Sequence, residues 1–386
     1  MRFLTRSRPG TILLAAAAAA STVMTVPGTA SAAVGPSPVV GHVYVNDNTA
    51  GTNTIGAFDR HADGTLTPHA GSPFAAGGIG TGAGLASQGA LQISPDGRFL
   101  LAVDAGSNQI SVLRIKPDGS LRQVPGGIVS SGGVLPVSVA IHRALVYVAN
   151  AGTGGSNYTG FRLGRGGRLH PLAGSTVALP DGSQPGDVLF NATGSKLAGA
   201  RVGTSQIDSF TVHHGRLTAA PASPFPAQGL GPFGSEFRPT NPRQLFVSNA
   251  HNTGTGTVSA FRDSANGTLT SIGSSPFADN QTAPCWVEIT HEGRFLFTVN
   301  TASGSVSRYA ITPGGTLRLL GSTPIRGTSV GAVDARLSPD GRFLYVDESK
   351  TGAVAAFAVH GGKLAELATS PASLPAGATP AGIVVT

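Results

Sequence analysis

One phrase recurs at a regular interval in this chain, and the repeat limits its possible folds more than any other feature. The stretch Ser94–Leu121 opens with S-P-D-G-R-F-L, and the stretch Ser338–Leu364 opens with the same letters. Weaker copies have entry strands that begin 47 to 52 residues apart, near Gln88, Pro136, Pro185, Pro232, Pro284 and Gly331. Each unit ends in a Gly-x-Leu triplet, and these triplets start at Gly64, Gly119, Gly167, Gly215, Gly267, Gly315 and Gly362. Seven units of about 48 residues therefore cover most of the chain.

The unit itself is typical of four antiparallel strands. A strand precedes the turn at Pro95–Gly97, two β-type runs follow at Phe99–Val103 and Ile110–Ile115, and another turn leads into Ser120–Val124. Repeats of this length with four strands each are blades of a propeller rather than turns of a solenoid. The sequence therefore predicts an all-β fold, a seven-bladed β-propeller with four antiparallel strands per blade.

The two ends of the repeat region indicate how the ring closes. The segment Gly41–Val45 matches the second strand of the other units, so the first unit lacks its entry strand. The segment Pro380–Thr386 matches an entry strand with nothing after it. We therefore expect the C-terminal strand to complete blade one, with residues 41–386 as the propeller domain and 33–40 as a short linker.

The first 32 residues have the pattern of a secretory signal peptide. Arg2, Arg6 and Arg8 precede an apolar run near Ile12–Val26, and Ala30-Ser31-Ala32 fits an A-x-A cleavage site. The run contains Ser and Thr and ends at a proline, which favours a signal peptide over a membrane span. We expect cleavage after Ala32 and a secreted protein with no membrane span.

Charge and cysteine content exclude several classes of protein. Without the signal peptide the chain has 23 basic and 19 acidic residues, a net charge of +4 (23 − 19), and no basic stripe of the kind that nucleic-acid binding requires. The single cysteine, Cys285, cannot form an intramolecular disulfide, and its apolar neighbours indicate a buried thiol. We expect a monomer that needs no cofactor.

The entry strands carry polar residues at two aligned positions. One position reads Gln92, Ala140, Leu189, Glu236, Glu288, Arg336 and Val384, and the position two residues earlier reads Ala90, Ser138, Asp187, Gly234, Trp286, Asp334 and Gly382. Since strand side chains alternate, both positions share one face. Asp187, Glu236, Glu288 and Asp334 should then converge at the central channel, with Arg336 as the cation among them. Three interpretations stay open: a hydrated structural channel, a site for a specific ligand or cation, and a catalytic site.

Loops give a second indication. In a propeller the loops between second and third strands share a face with the connections between blades, and here they are long at Asn46–Asn53, Asn150–Tyr158 and Asn249–Thr257. A Gly-rich connection, Ala75–Gly89, is expected on the same side. Such loops suit hydrogen bonds to polar ligands, although Gly-Thr-Asn loops also simply tolerate insertion.

The repeat, with its S-P-D-G-R-F-L-x-V phrase and P-D-G-x-L exits, resembles the lactonase-type seven-bladed propellers, which include 6-phosphogluconolactonases and YVTN-repeat surface proteins. The resemblance covers residues 41–386 and implies functional histidines in a P-H-x-H stretch, a G-P-R-H stretch and a later glutamate. Here those positions read Ala86–Gly89, Gly231–Gly234 and Ala250. The resemblance therefore implies the scaffold, while the residues of the family's catalytic set are missing.

Two functional hypotheses follow. The first is a secreted binding or scaffolding module that recognises a polar ligand, a glycan or an envelope protein, with Asp187, Glu236, Glu288, Asp334, Arg336, Gln92 and His251 as candidate ligand-binding residues. The second is a lactone hydrolase with a rearranged set made of His251, Glu236, Arg238 and Asp187. No metal ligands are predicted beyond a cation that the channel carboxylates could recruit.

Overall fold

The computed structural model describes residues 37–250 and 254–386, which form seven antiparallel sheets. The predicted signal peptide, residues 33–36 of the predicted linker, and His251 lie outside the described residues. Within those described, no helix is both long and apolar enough to cross a membrane. A single turn of 3-10 helix, Ala105–Ser107, is the one helical element among them.

Each blade is one sheet of the ring. The strands of blades 1 to 3 are β1 (Val39–Asn46), β2 (Gly51–His61), β3 (Leu66–Pro68), β4 (Phe74–Gly80); β5 (Leu91–Ile93), β6 (Phe99–Asp104), β7 (Gln109–Ile115), β8 (Leu121–Ser130); β9 (Pro136–His142), β10 (Leu145–Asn150), β11 (Asn157–Leu163), β12 (Leu169–Pro171) and β13 (Val177–Ala178). Those of blades 4 and 5 are β14 (Pro185–Phe190), β15 (Lys196–Arg201), β16 (Gln206–His213), β17 (Arg216–Ala219), β18 (Phe225–Pro226); β19 (Pro232–Phe237), β20 (Gln244–Asn249), β21 (Thr257–Asp263), β22 (Leu269–Ser271) and β23 (Phe277–Ala278). Those of blades 6 and 7 are β24 (Pro284–Ile289), β25 (Phe295–Asn300), β26 (Ser305–Ile311), β27 (Leu317–Pro324); β28 (Ala332–Leu337), β29 (Phe343–Glu348), β30 (Ala353–His360), β31 (Lys363–Glu366) and β32 (Ala372–Ser373), and the last strand is β33 (Ile383–Val385).

The ring closes as the sequence predicts. β33 pairs antiparallel with β1, with Val43 opposite Val385 and Val45 opposite Ile383, so the C-terminal strand is the entry strand of blade 1. The seven entry strands contact one another in a closed circle around the channel. The apolar core is divided accordingly, because the seven buried hydrophobic clusters of the described chain each lie at one seam between neighbouring blades.

The structure explains why each Gly-x-Leu triplet begins with glycine. Gly167 has a φ of +91°, and a Cβ atom there would overlap the ring of Phe99 in the preceding blade. Gly64 packs against Phe343 in the same way, across the seam where the ring closes. A tyrosine hydroxyl reinforces this seam, since Tyr345 donates to the carbonyl of Gly64 at 3.0 Å. All seven triplet glycines have a positive φ, and at Gly64, Gly119, Gly167 and Gly362 the missing Cβ atom also leaves room for a Phe or His ring of the preceding blade.

The outermost strand is interrupted in five blades, where two short segments pair with the third strand. At each break a serine hydroxyl accepts a hydrogen bond from the third strand: Ala57 to Ser72, Gly160 to Ser175, Ser209 to Ser223, Ala260 to Ser275 and Ala356 to Ser370. In blades 2 and 6 the outer strand is continuous. The serine thus supplies the acceptor that the broken strand no longer offers.

The strands define two faces. The loop face carries the loops between second and third strands together with the connections between blades. The turn face carries the remaining hairpin turns, including Ser94–Arg98 and Ser338–Arg342. One predicted boundary is wrong here: residues 75–80 of the predicted Gly-rich connection, Ala75–Gly89, belong to the strand β4, which pairs with β2.

Candidate functional site

The predicted carboxylates converge at the channel. Arg336 lies 3.2 Å from Glu288, measured from a guanidinium nitrogen to Oε2. Glu236, Asp334 and Asp187 are close enough to Arg336 to favour its charged form. The two aligned rows of the entry strands thus place four carboxyl groups from blades 4, 5, 6 and 7 around one guanidinium.

These carboxylates bond to the backbone of the next blade. Asp187 accepts a hydrogen bond from the amide of Ser235 at 2.9 Å, and Glu288 accepts one from the amide of Leu337 at 2.8 Å. In the same way, Glu236 accepts a hydrogen bond from the amide of Ile289, and Asp334 accepts one from the amide of Ile383. Entry strands have a free inner edge, and these side chains satisfy its N–H groups.

Burial perturbs the acid groups of this cluster. It raises the pKa of Asp187 to about 7, against the lowering effect of hydrogen bonds from Ser235. The pKa of Glu236 is raised well above its ordinary value, first by burial and then by Glu288. Burial likewise raises the pKa values of Glu288 and Asp334. Burial and mutual repulsion therefore both oppose the simultaneous ionisation of these groups.

The sequence analysis did not predict one acid of the cluster, Asp347. Asp347 lies on β29 rather than on an entry strand and is fully buried. Burial, followed by repulsion from Asp334, raises its pKa well above the ordinary value. The signal was available in the sequence, since Asp347 and Glu348 end a strand that is otherwise apolar.

Solvent reaches the cluster from one side. The side chain of Arg336 is 28% exposed and Glu236 is half-buried, whereas Asp187 is 2% and Asp334 1% exposed. Arg336 and Glu236 occupy the aligned position nearer the turn face, and the two aspartates occupy the position nearer the loop face. The channel is therefore open towards the turn face and closed towards the loop face.

The closure is made by the segment that connects blades 1 and 2. Gln88 donates from its amide to Gly186 at 2.9 Å and from Nε2 to the carbonyl of Ser235 at 3.0 Å, and it accepts from Val287 at 3.0 Å. One residue thus joins blades 4, 5 and 6, the first through its backbone and the other two through its side chain. Gly234 permits this approach, since a Cβ atom there would overlap Oε1 of Gln88.

This path also corrects a predicted boundary. The entry strand of blade 2 was expected to begin near Gln88, but β5 begins at Leu91. Gly89 donates to Asp334 at 3.1 Å and accepts from Val139 at 2.9 Å, so its backbone is bonded across the channel instead of along blade 2. Gln92 is half-buried beside Gly89.

The positions aligned with the family's catalytic residues lie together at this closed end. Gly234 touches Gln88, and Phe233 packs 6.5 Å from Trp286 between ring centroids. Ala250 is buried in the same apolar cluster as Trp286. These positions offer an amide, aromatic rings and methyl groups, and none of them supplies a general acid or base.

The rearranged hydrolase set is not assembled. Arg238 lies away from the channel, where its guanidinium donates to Gly293 at 2.7 Å and to Thr312 and Gln244 at 2.9 Å. His251 is not among the described residues. Of the four residues in that hypothesis, Glu236 and Asp187 lie in the cluster.

Comparisons with known proteins agree with this geometry. The family described as "Lactonase, 7-bladed beta-propeller" matches residues 51–190 and 236–380. A putative 6-phosphogluconolactonase of Bacteroides uniformis superimposes with a TM-score of 0.72 at 18% identity, covering 90% of this chain and 100% of its own. The periplasmic gluconolactonase of Pseudomonas aeruginosa gives 0.71 at 19% identity, covering 90% and 99%. Such identities show a shared fold alone, and among curated protein sequences none matches this chain.

Proposed function

This chain belongs to the lactonase family of seven-bladed β-propellers, and on that basis we propose that it is an exported binding module for an uncharged, polyhydroxylated ligand such as a glycan. The ligand binds at the loop face. The observation that carries the proposal is the near absence of exposed charge there. Of the described residues between strands on this face, five are charged, and Asp47 and Asp279 are buried, which leaves Asp181, Arg326 and Lys350.

The chemistry of the loop face matches such a ligand. Its loops present Asn, Thr and Ser side chains and Gly-rich backbone, which donate and accept hydrogen bonds without a net charge. Beside the Gln88 segment lies a cavity of about 240 Å³ with an apolar lining that includes Leu85, Leu135 and Val202. An apolar floor within a hydroxyl- and amide-rich rim suits a sugar, which has C–H faces and hydroxyl edges.

The closed channel argues against catalysis at this face. Gln88 lies against Gly234 at this closed end, where its backbone amide is bonded to blade 4 and its side-chain amide to blades 5 and 6. The described residues at the aligned positions, Ala86–Gly89, Gly231–Gly234 and Ala250, include no general acid or base for a lactone. Binding without turnover is the activity that this arrangement supports.

A binding experiment with a cavity-filling variant tests the proposal. Gly84 lines the cavity, is exposed and has no neighbour within 4 Å of an added Cβ atom. Gly84→Trp should fill the cavity and weaken binding to the best glycan of an array by at least about tenfold. Gly166→Trp is the matched control, since Gly166 is equally open but lies on the turn face. Failure of the whole array to bind, or equal loss in both variants, would contradict the proposal.

Hydrolysis from the turn face is the second candidate. Glu236 has a buried Oε2 with no hydrogen-bond partner and a raised pKa, and the channel is open towards it. A carboxyl group in that state could act as a general acid or base on a small lactone. Simple and phosphorylated sugar lactones should then be hydrolysed faster than their spontaneous rate by the wild type and not by Glu236→Gln. Spontaneous rates in both proteins leave binding as the function.

Export is part of the proposal and has its own test. The basic start, the apolar run and Ala30-Ser31-Ala32 support cleavage after Ala32. Protein recovered from outside the cytoplasmic membrane should begin at residue 33, as read by N-terminal sequencing. An intact residue 1 on that protein would refute cleavage.

A further inference from the structure

A cluster of two histidines and one aspartate lies on blade 1, away from the channel. Nδ1 of His42 is 3.2 Å from Oδ1 of Asp59, and Nδ1 of His69 is 2.6 Å from the same oxygen. The three ligand atoms all lie within 4.8 Å of one another. The side chains are 15%, 26% and 9% exposed in that order, so they are sheltered but not sealed.

Strand register places all three on one face of the blade. His42 on β1 is directly opposite Asp59 on β2, and Asp59 is opposite Thr67 on β3. His69 follows Thr67 by two residues, which returns its side chain to the same side. The cluster faces blade 2, where a Cβ atom on Gly119 would overlap the His42 ring and where Asp118 adds a further negative charge near His42.

The other blades show which residues occupy these three positions elsewhere in the ring. The position of His42 is phenylalanine in blades 2, 6 and 7, where the ring rests on the next blade's glycine, and it is Leu145, Lys196 and Gln244 in blades 3, 4 and 5. The residue opposite it is Arg, Thr or Ala in the other six blades, namely Arg114, Arg162, Thr211, Arg262, Ala310 and Ala358. The counterparts of His69, identified by the same backbone hydrogen bond, are Leu172, Ala220, Ile272 and Leu367.

Three departures from the repeat therefore meet at one point. A ring-packing position carries His42, a position opposite it carries a carboxylate found in no other blade, and an apolar position carries His69. Packing does not require a ligating group at any of the three, because phenylalanine serves at the His42 position in blades 2, 6 and 7 and the counterparts of Asp59 and His69 named above are neither carboxylates nor histidines. Two imidazoles and one carboxylate form the ligand set of a zinc-type site that keeps one position open for water.

We propose that His42, Asp59 and His69 bind a divalent transition metal ion of the zinc class at the seam between blades 1 and 2. Ligand atoms around tetrahedral zinc are about 3.3 Å apart. The His42–Asp59 separation of 3.2 Å already fits this, and the His69–Asp59 hydrogen bond opens by roughly 0.7 Å when its proton is replaced by the metal.

Metal binding here would also strengthen the closure of the ring. The amide of His42 donates to Oγ1 of Thr386 at 2.8 Å, and Thr386 donates back to the carbonyl of His42 at 2.9 Å. An ion that ties the His42 side chain to β2 therefore fixes β1, the strand with which the C-terminal strand β33 pairs. Since the ion binds only the folded state, it raises the free energy of unfolding.

Titration of the untagged protein with Zn²⁺ and Co²⁺ tests the site. We expect one Zn²⁺ per chain by calorimetry, a visible absorption band with Co²⁺, and a thermal midpoint that rises by a few degrees with Zn²⁺ in excess. The double variant His42→Phe/His69→Leu should lose all three responses. It should still fold, because it restores residues that other blades use at the same positions.

An exposed histidine pair provides the control. His213 and His214 lie at a hairpin on blade 4, and His213→Asn/His214→Asn should leave the stoichiometry and the midpoint shift unchanged. The proposal is overturned if wild type binds neither ion at neutral pH. It is equally overturned if binding survives in the Phe/Leu variant and disappears in the Asn variant, since the ion would then sit on surface histidines.

Discussion

At the scale of residues, the channel acids show how a buried carboxylate can serve a sheet edge. The free inner amides of seven entry strands would be unsatisfied in a narrow channel, and each unpaired amide is costly. Asp187, Glu236 and Glu288 each reach across a seam to supply an acceptor. Their burial disfavours ionisation, so the same contact that satisfies the backbone leaves a group whose pKa is raised.

Asp187 allows this account to be tested by pH. Its pKa is about 7 when folded and near 3.9 when unfolded, so the folded state binds more protons between these values. Its contribution to stability is fully present below about pH 4 and falls as pH rises to about 7. Asp187→Asn keeps the acceptor and removes the titration, so its stability relative to wild type should rise over this range by a few kcal/mol (roughly 1.4 per pKa unit).

Urea unfolding at about pH 4, 5, 6, 7 and 8 measures that difference. Asp340→Asn is the control with the opposite sign: burial acts to raise the pKa of Asp340, but hydrogen bonds from Ser338 and Arg342 together outweigh it and hold that pKa at about 2. Its contribution is lost only as pH falls towards 2, so its deficit should stay constant from pH 5 to 8. A pH-independent difference for Asp187→Asn would refute a raised pKa.

At the scale of elements, the parts that the sequence predicted well are those set by contacts that every blade repeats. The turn glycines, the paired strands and the entry of β33 into blade 1 recur or complete a pattern, so seven copies reveal them. Gln88 was placed at the start of a strand because its route depends on contacts with blades 4, 5 and 6. Asp347 and the His42 cluster were missed because they depend on which strands become neighbours in space.

The turn glycines give a prediction with a neighbouring control. Gly167→Ala adds a Cβ atom that overlaps the Phe99 ring, at a φ of +91° that alanine seldom adopts. It should destabilise the protein by at least about 2 kcal/mol. Gly166→Ala, one residue earlier, meets no atom within 4 Å and should change stability by less than about 0.5 kcal/mol. Chemical denaturation of both variants decides the matter, and equal effects would show that the seam tolerates the methyl group.

At the scale of the whole molecule, the two faces of the ring differ in exposed charge. The loop face is nearly free of exposed charge, while the turn face carries charged hairpins such as those at Asp96–Arg98 and Asp340–Arg342. The channel runs between the two faces, but the segment that contains Gln88 closes it at the loop face. A ligand on the loop face and a solute entering from the turn face would therefore meet different residues.

Ring closure can be tested on the intact fold. A variant that ends at Thr379 lacks β33 and exposes the edge of β1, so it should unfold at lower temperature and with less cooperativity. A variant that instead places residues 380–386 ahead of β1 through a short hairpin should recover most of the wild-type midpoint, because the end of β33 lies beside the start of β1. Differential scanning calorimetry compares the three proteins. Equal midpoints for wild type and the shortened variant would show that the closing strand is dispensable.

The pairing of β1 with β33 in blade 1 also determines when this blade can finish folding during synthesis. His42 and Thr386 are 344 residues apart in the chain yet share hydrogen bonds, so the earliest blade to leave the ribosome is the last to be finished. Until β33 is synthesised, β1 has an unpaired edge with which strands of other nascent chains could pair. If the chain is exported as proposed above, translocation in an unfolded state brings β1 and β33 into the same compartment before either folds, which avoids that exposure.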